Sequence, residues 1–452
     1  MQRCLRGLLL ERSPHAKLNL RRTALGAAIV AHIYLIMPQG MASTSDQFGL
    51  GAAGLSLGNA AIATPDPAYA AFYNPAAIPQ GEKTLGSFSM TNIDWRLQDL
   101  NPGYRNQGAT LAVETYQASE AESSEGLGFG FKTTIPFGLH VGLSGFMPKE
   151  ILSVHGNSGE EVSYLKYQDR SKKPEIYLAV ARELPLGFSL GLGSYMSLKA
   201  KGTFQAGFTD EESRGRLSLE TKPVSVPYGG VRWAQVWGQA EVAFGFFYRQ
   251  SHTTDVGLET QLVGKTDGLF LVPTDVDANL AAFHDPELRR YGVSVAYEQL
   301  MVHIAMEESR WGDYKSPTMQ IASDDFALAD EDDFGGQAPT LRNTQAYKAG
   351  LSYDSNIANW DASFRFGYEV HPSAIENKAS SPVVDLGRRS VSLGVGVDLS
   401  DGDESSLVEG TMIDVGYHYS WLDEETLSSE GGQSYKAGGA VSVLSGGLSH
   451  AF

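Results

Sequence analysis

The chain has 452 residues, of which 42% are hydrophobic, 10% aromatic and 19% charged, with a net charge of −18. That aromatic content excludes a disordered chain, the mean hydropathy of −0.20 excludes a helical membrane protein, and the acidic balance repels nucleic-acid phosphates. The length exceeds the roughly 100–200 residues of one ordinary domain, which a large barrel can absorb in one piece.

In chain order, Arg3, Arg6, Arg12, Lys17, Arg21 and Arg22 form a positive leader. Ala24 to Met37 follows as a mostly apolar run of 14 residues, short for a bilayer span. Gly40-Met41-Ala42 offers the small residues that a signal peptidase reads. Residues 1–42 therefore read as a signal peptide cleaved after Ala42, with a membrane anchor as the rival reading. Arg21-Arg22 lacks the continuation of a twin-arginine signal, which favours the general secretory route. The one cysteine, Cys4, lies in this leader, so the remaining chain has no disulfide and no thiol chemistry. It keeps 29 basic and 52 acidic residues, a net charge of −23.

Residues 43–84 are rich in Gly and Ala, contain Pro65, Pro67, Pro75 and Pro79, and never alternate cleanly. They read as a compact non-strand segment. Beyond residue 85 the chain alternates with period 2, the signature of strands. Val391, Leu393, Val395 and Val397 share one face against Ser390, Ser392, Gly394 and Gly396. Tyr291, Val293, Val295 and Tyr297 oppose Arg290, Gly292, Ser294 and Ala296. Ile413, Val415, Tyr417 and Tyr419 oppose Asp414, Gly416 and His418, and Phe137, Leu139, Val141 and Leu143 oppose Gly138, His140 and Gly142. Such segments of about 9–11 residues suit tilted strands in a bilayer. Tyr at the ends of the apolar faces (Tyr291, Tyr297, Tyr353, Tyr419) fits an interfacial girdle. Polar stretches at 149–173, 203–222, 264–286 and 313–342 read as long loops; 184–187 and 401–403 read as tight turns. The expected fold is all-β: about a dozen such segments make a transmembrane antiparallel β-barrel over 85–452, with the compact Gly/Pro-rich segment ahead of it. Phe452, closing an alternating last strand, resembles the signal that barrel-assembly machinery reads.

Several motifs match catalytic patterns and fail their context. Gly49-x-Gly51-x-x-Gly54 has no preceding strand, as a dinucleotide fingerprint requires. Ser56 and Ser189 sit in Gly-x-Ser-x-Gly, but Ser189 falls inside an alternating strand rather than on a strand-to-helix elbow. The ten histidines show no paired metal spacing, and the acidic runs at 324–333 lack an EF-hand spacing, so they read as solvated loop.

The segment from Gly54 to Ile78, GLSLGNAAIATPDPAYAAFYNPAAI, resembles the amino-terminal hatch of the FadL-type long-chain fatty acid transporters, with Gly54, Gly58, Asp66 and Asn74-Pro75-Ala76 at the motif positions. Residues 82–97 resemble that family's first strand. Arg310-Trp311-Gly312-Asp313-Tyr314 resembles its Trp-Ser-x-Phe stretch, and Phe364 to Leu399 its late strand pair, keeping Asp385 and Arg388. The resemblance implies a non-enzymatic, cofactor-free and metal-free channel of the Gram-negative outer membrane for passive uptake of hydrophobic molecules, long-chain fatty acids first. It implies about 14 strands, a hatch over 43–84 inside the lumen that gates ligand movement, lateral release through a strand distortion, and ligand contacts at Phe48 and Leu50. Its partners would be the hydrophobic ligand, outer-membrane lipid and lipopolysaccharide, and the assembly machinery, with no nucleic acid. The competing readings are a lipid hydrolase on a barrel, and a structural or adhesin barrel without a conduit.

Overall fold

The computed structural model describes residues 40–41, 43–81, 84–98, 100, 122–149, 163–167, 173–208, 213–266, 269–312, 314, 320–322, 340–357, 360–376, 383–400, 409–428 and 434–452. It gives the backbone alone over 197–223, 254–283 and a few strand ends. Of the expected leader only Gly40–Met41 is described, as a two-residue strand beside Phe283–His284; its other residues, most of the 149–173 and 313–342 stretches, the acidic runs at 324–333 and the turn at 401–403 lie outside the described residues. Among the described residues, no helix is long and apolar enough to cross a membrane.

Fourteen antiparallel strands form a closed ring: β1 (Leu85–Leu97), β2 (Glu122–Ile135), β3 (Leu139–Pro148), β4 (Glu175–Glu183), β5 (Phe188–Phe208), β6 (Ser213–Trp237), β7 (Ala240–Arg249), β8 (Glu287–Tyr297), β9 (Leu300–Arg310), β10 (Thr344–Ile357), β11 (Trp360–His371), β12 (Arg388–Asp398), β13 (Thr411–Ser428) and β14 (Ser434–Ala451). Each pairs with the next. β14 pairs back with β1, from Leu85 opposite Ala451 to Leu97 opposite Gly439. Closure leaves no edge, which lipid requires because it offers unpaired backbone groups nothing to bond. Along the described pairings of the ring, the only register shift lies between Leu422 and Glu425.

The period-2 pattern sorts side chains by solvent. Leu393 is 58% exposed on the outside while its neighbour Ser392 is 1% exposed in the lumen. Ile304, Val415, Tyr417 and Leu444 likewise face outward, against inward Ser294, His303, His418 and Ser445. A continuous outward band of this kind is stable only against lipid. The inward polar groups pair across strands. Ser294 bonds His303 Nδ1 at 2.8 Å, Ser392 bonds His418 Nδ1 at 2.8 Å and Thr411 bonds His450 Nδ1 at 2.9 Å. Each of these pairs is a direct register neighbour, so hydroxyl–imidazole pairing is a repeated way of satisfying the inner wall.

One end of the ring has short turns and the other long connections. Pro136–Gly138 and Pro185–Gly187 are the same three-residue turn, with Phe137 at φ 70° and Leu186 at φ 64°. Phe137 thus belongs to a turn and not to the strand face the alternation assigned it; β3 starts at Leu139. The expected loops at 203–222 and 264–286 are also largely strand. β5 and β6 run 21 and 25 residues, and His252–Thr266 with Leu269–Asp285 forms a hairpin beside them. Its first arm runs parallel to the outer part of β5. Beyond the bilayer both faces of a strand meet water, so no alternation is imposed and the pattern that marks the spanning parts is lost.

Residues 43–80 contribute nothing to the ring and lie within it. They pack against β2 to β6 on one side and β11 to β14 on the other. On the remaining arc, a Cβ added at Gly245 of β7 or Gly292 of β8 would run into Ile62 or Ala63.

Candidate functional site

The lumen segment is built from pieces too short to be stable alone. Helix α1 (Thr44–Phe48) is capped by Ser43, whose Oγ accepts from Asp46 N–H at 3.0 Å. After Gly49 and Gly51, both at positive φ, comes α2 (Ala52–Ser56). Asp66 caps the 3-10 turn Pro67–Tyr69, its Oδ1 accepting from Ala68 N–H at 2.9 Å. Helix α3 (Ala70–Tyr73) follows, and Asn74 then caps Pro75–Ala77, its Oδ1 accepting from Ala76 N–H at 3.1 Å. Proline at the first position of both 3-10 turns presets φ where no N–H is needed.

The motif residues all contribute to this seat. Asn74 Nδ2 donates to Ile62 O at 3.2 Å and to Val231 O of β6 at 3.3 Å, tying segment to wall. Pro75 and Ala76 lie on Gly191 of β5, where any Cβ would strike their backbone. Tyr73 Oη accepts from Leu50 N–H and donates to Asn59 Oδ1, both at 3.0 Å, and a side chain at Gly54 would displace that ring. Gly58, at φ 58°, lies against the backbone of Gly367 and Tyr368 in β11. Both Gly-x-Ser-x-Gly serines are spent on carbonyls: Ser56 Oγ donates to Ala52 O and Ser189 Oγ to Ala76 O, each at 2.6 Å.

Phe48 and Leu50 point into different apolar clusters. Phe48 meets Trp95 at 5.6 Å between centroids, His418 edge-on at 5.8 Å and the Arg388 guanidinium at 5.3 Å. Around it lie Tyr164, Tyr167, Val384 and Leu427. Leu50 joins a second cluster with Phe72, Tyr177, Tyr195, Tyr228 and Phe247. These strand residues sit in the half of the barrel nearer the long connections. The clusters are apolar islands in a lumen whose wall is otherwise polar.

Charge holds α1 between them. Arg249 Nη2 donates to Asp46 Oδ2 at 2.8 Å, and Arg290 Nη2 to Asp46 Oδ1 at 3.0 Å. Arg290 Nε also bonds Glu307 at 2.8 Å, and Lys348 reaches Glu307 at 3.0 Å. Lys173 pairs with Asp285 and lies 3.6 Å from Glu175, which Ser45 also contacts. Arg388 Nη2 donates to Gln47 O at 2.5 Å, and Lys166 pairs with Asp385 at 2.8 Å. Carboxylate oxygens of Asp46, Glu175 and Asp285 approach within 4.8 Å of one another, but Lys173, Arg249 and Arg290 already pair with them there. Truncating one member of such a buried pair leaves an uncompensated charge, typically worth about 3–5 kcal/mol.

The alternation places Arg249 and Arg290 on the inner face, but it could not show their partner. Asp46 lies on a short helix without strand periodicity, so its meeting with β7 and β8 is a tertiary fact. Two residues of the late-strand resemblance acquire partners here: Asp385 accepts from Ala374 N–H at 2.6 Å as well as from Lys166, and Arg388 holds Gln47. Trp311 is buried, with its backbone N–H donating to Asn343 Oδ1 at 3.0 Å; Asp313 lies outside the described residues.

Burial, reinforced by the charge of Asp414, raises the Asp66 carboxyl from 3.8 to about 6. The folded segment therefore binds this proton more tightly than the unfolded one. Its stability is greatest below pH 3.8, falls as the pH rises from 3.8 to about 6, and is flat above, by about 3 kcal/mol at most. Amide exchange over residues 66–78, corrected for intrinsic rates, is expected to quicken between pH 4 and pH 7. Asp66→Asn is expected to flatten that profile; an unchanged profile in the variant removes Asp66 as its source.

No family model matches the sequence, and no curated protein matches it. Solved structures do match in fold. A Pseudomonas aeruginosa FadL homologue superposes with a TM-score of 0.57 at 15% identity, over 92% of this chain and 99% of its own. The monoaromatic hydrocarbon channel CymD gives 0.53 at 14% identity, over 89% and 97%. The Pseudomonas putida toluene transporter TodX gives 0.54 at 12% identity, over 90% and 99%. With the ring closed at 14 strands and a compact segment inside it, the chain has the fold of the FadL-type channels.

Proposed function

We propose that this chain is a passive channel of the Gram-negative outer membrane for hydrophobic molecules, long-chain fatty acids first. In this reading residues 1–42 direct secretion, 43–84 form a hatch, and 85–452 form the barrel that Phe452 presents to the assembly machinery. The observation that carries it is the pair of buried aromatic clusters in the lumen, one holding Phe48 at the end of α1 and the other Leu50 two residues beyond. Phe48 and Leu50 would line the path at the end of that helix, so that hatch movement gates passage. Transfer of an acyl chain into such surroundings contributes about 0.8 kcal/mol per methylene, enough for binding without catalysis or ATP.

Lateral release belongs to the same reading. An apolar groove of about 590 Å³ runs along the outer wall past Trp233, Phe244, Phe246, Tyr291 and Ile304. Directly behind it, Ile62 and Ala63 of the hatch press on Gly245 and Gly292, so hatch and lipid are one backbone apart. The strands behind the groove are fully paired, so exit there, into a membrane shared with lipopolysaccharide, requires those pairings to part. The hydrolase alternative has less support: Ser392, His418 and Glu369 do line up, with His418 Nε2 3.5 Å from Glu369, but all three are buried in the wall and the same Ser–His contact recurs at Ser294–His303.

The test is uptake by a host lacking its own transporter. Expression is expected to restore growth on oleate; restored entry of toluene but not oleate would move the ligand to the monoaromatic class for which CymD and TodX are named. Restoration of neither defeats the channel reading.

A further inference from the structure

We propose that Arg249 and Arg290 form a binding site for the carboxylate of an amphiphilic monoanion, that Asp46 occupies this site in the closed state, and that an incoming carboxylate takes its place and frees α1. The inference rests on the channel reading and deepens it by naming the head group and the contact it exchanges.

The geometry is that of a carboxylate receptor. Both terminal nitrogens of Arg249 address Asp46, at 3.2 and 2.8 Å, and Arg290 adds a third bond at 3.0 Å. A planar fork of this kind recognises two carboxylate oxygens irrespective of which molecule carries them. Arg249 Nε has no acceptor among the described residues, which leaves a donor over for a ligand oxygen. Tyr177 Oη, bonded to Arg249 Nη1 at 2.6 Å, fixes the fork in place.

Charge selects the class of ligand. The linked cluster contains Arg249, Arg290, Lys173 and Lys348 against Asp46, Glu175, Asp285 and Glu307. Among the described residues four cations face four carboxylates with Asp46 in place, and one carboxylate is missing without it. A neutral hydrocarbon cannot supply the missing charge and a dianion overshoots it. Of the four acids, Asp46 alone belongs to the lumen segment; Glu175 and Glu307 are fixed in β4 and β9, and Asp285 ends the outer hairpin.

The surroundings suit the rest of such a ligand. The Arg249 guanidinium lies 4.9 Å from the Tyr195 ring centroid, and that of Arg290 lies 5.0 Å from Phe72 and 4.9 Å from Phe247. A head group on the two arginines therefore places its tail among the aromatic side chains of the Leu50 cluster. Because the carboxylate and Asp46 compete for the same donors, ligand binds only the state in which Asp46 has left, which is the differential affinity that shifts the population of α1.

The experiment measures binding of oleate and of its uncharged ester, methyl oleate, to the full barrel in lipid nanodiscs. Asp46→Asn removes the competing charge and keeps the arginines. It is expected to bind oleate about tenfold more tightly than wild type, about 1.4 kcal/mol, with methyl oleate unchanged within twofold. Equal gains for both ligands, or no gain for oleate, overturn the exchange. Wild-type protein supplies an arm that needs no variant. At matched occupancy, oleate is expected to speed amide exchange over residues 45–48 and methyl oleate is not; equal effects again overturn it. If both ligands bind alike, the exchange falls and the channel stands, whereas binding of neither ligand to any form defeats both.

Discussion

Replacement of Gly191 by Val is expected to drive the lumen segment off its seat. Gly191 points inward from β5, and its missing side chain is the space taken by the Pro75–Ala76 peptide. The obstacle is backbone on both sides: the wall is hydrogen-bonded to β4 and β6, and Pro75–Ala77 is a capped 3-10 turn. Neither can yield as a flexible side chain would. Overpacking of a tight interior typically costs about 1–3 kcal/mol, and two added methyl groups beyond the Cβ place this site at the upper end. The folded barrel, recognised by its heat-modifiable migration, should persist while residues 67–80 become accessible to protease. Wild-type protection in the variant would show that the wall bends instead.

A second large effect is expected at Asn74. Its buried side chain caps the last turn and holds both Ile62 and β6. Asn74→Ala removes three hydrogen bonds together, the cap among them, leaving two carbonyls without this donor, for an expected loss of about 3 kcal/mol. The loss should be local, because the ring closes without Asn74. Planar-bilayer recordings are the measurement: a seated segment keeps ionic conductance low, and the variant is expected to conduct in bursts as the segment loosens. Asn74→Asp keeps the capping oxygen but has no donor for Ile62 or Val231, so it should also conduct. Silence in both variants would place the seal elsewhere.

The parts of this fold written plainly in the sequence are those where one solvent lies on each side of a strand. Leu393 beside Ser392, or Tyr417 beside His418, can be assigned a face from composition because lipid and lumen demand opposite chemistry. Where water reaches both faces, as in the outer parts of β5 and β6 and the hairpin beside them, the same backbone pairing leaves no mark, and strands there read as loops. At Phe137 alternation misled, since an apolar residue in a turn at the membrane edge looks like one more lipid-facing position. The candidate site divides the same way. Asn74 and the glycines stand out because their needs are local: a cap, a positive φ, a close approach. Asp46 does not, since its meaning comes from Arg249 and Arg290 more than two hundred residues away.

The seam between β1 and β14 sets the order of events during assembly. Leu85 bonds with Ala451 and Leu97 with Gly439, so the wall cannot be completed until the last stretch of the polypeptide is delivered. The segment it encloses is made first and touches strands from both ends of the chain, α2 against β13 and Pro75–Ala77 against β5. It cannot be threaded through a finished wall, so its enclosure and the final zipping are one concerted step. Contacts spanning nearly the whole sequence make that step slow. The lifetime of the unzipped form, more than its final stability, then governs how much protein closes intact.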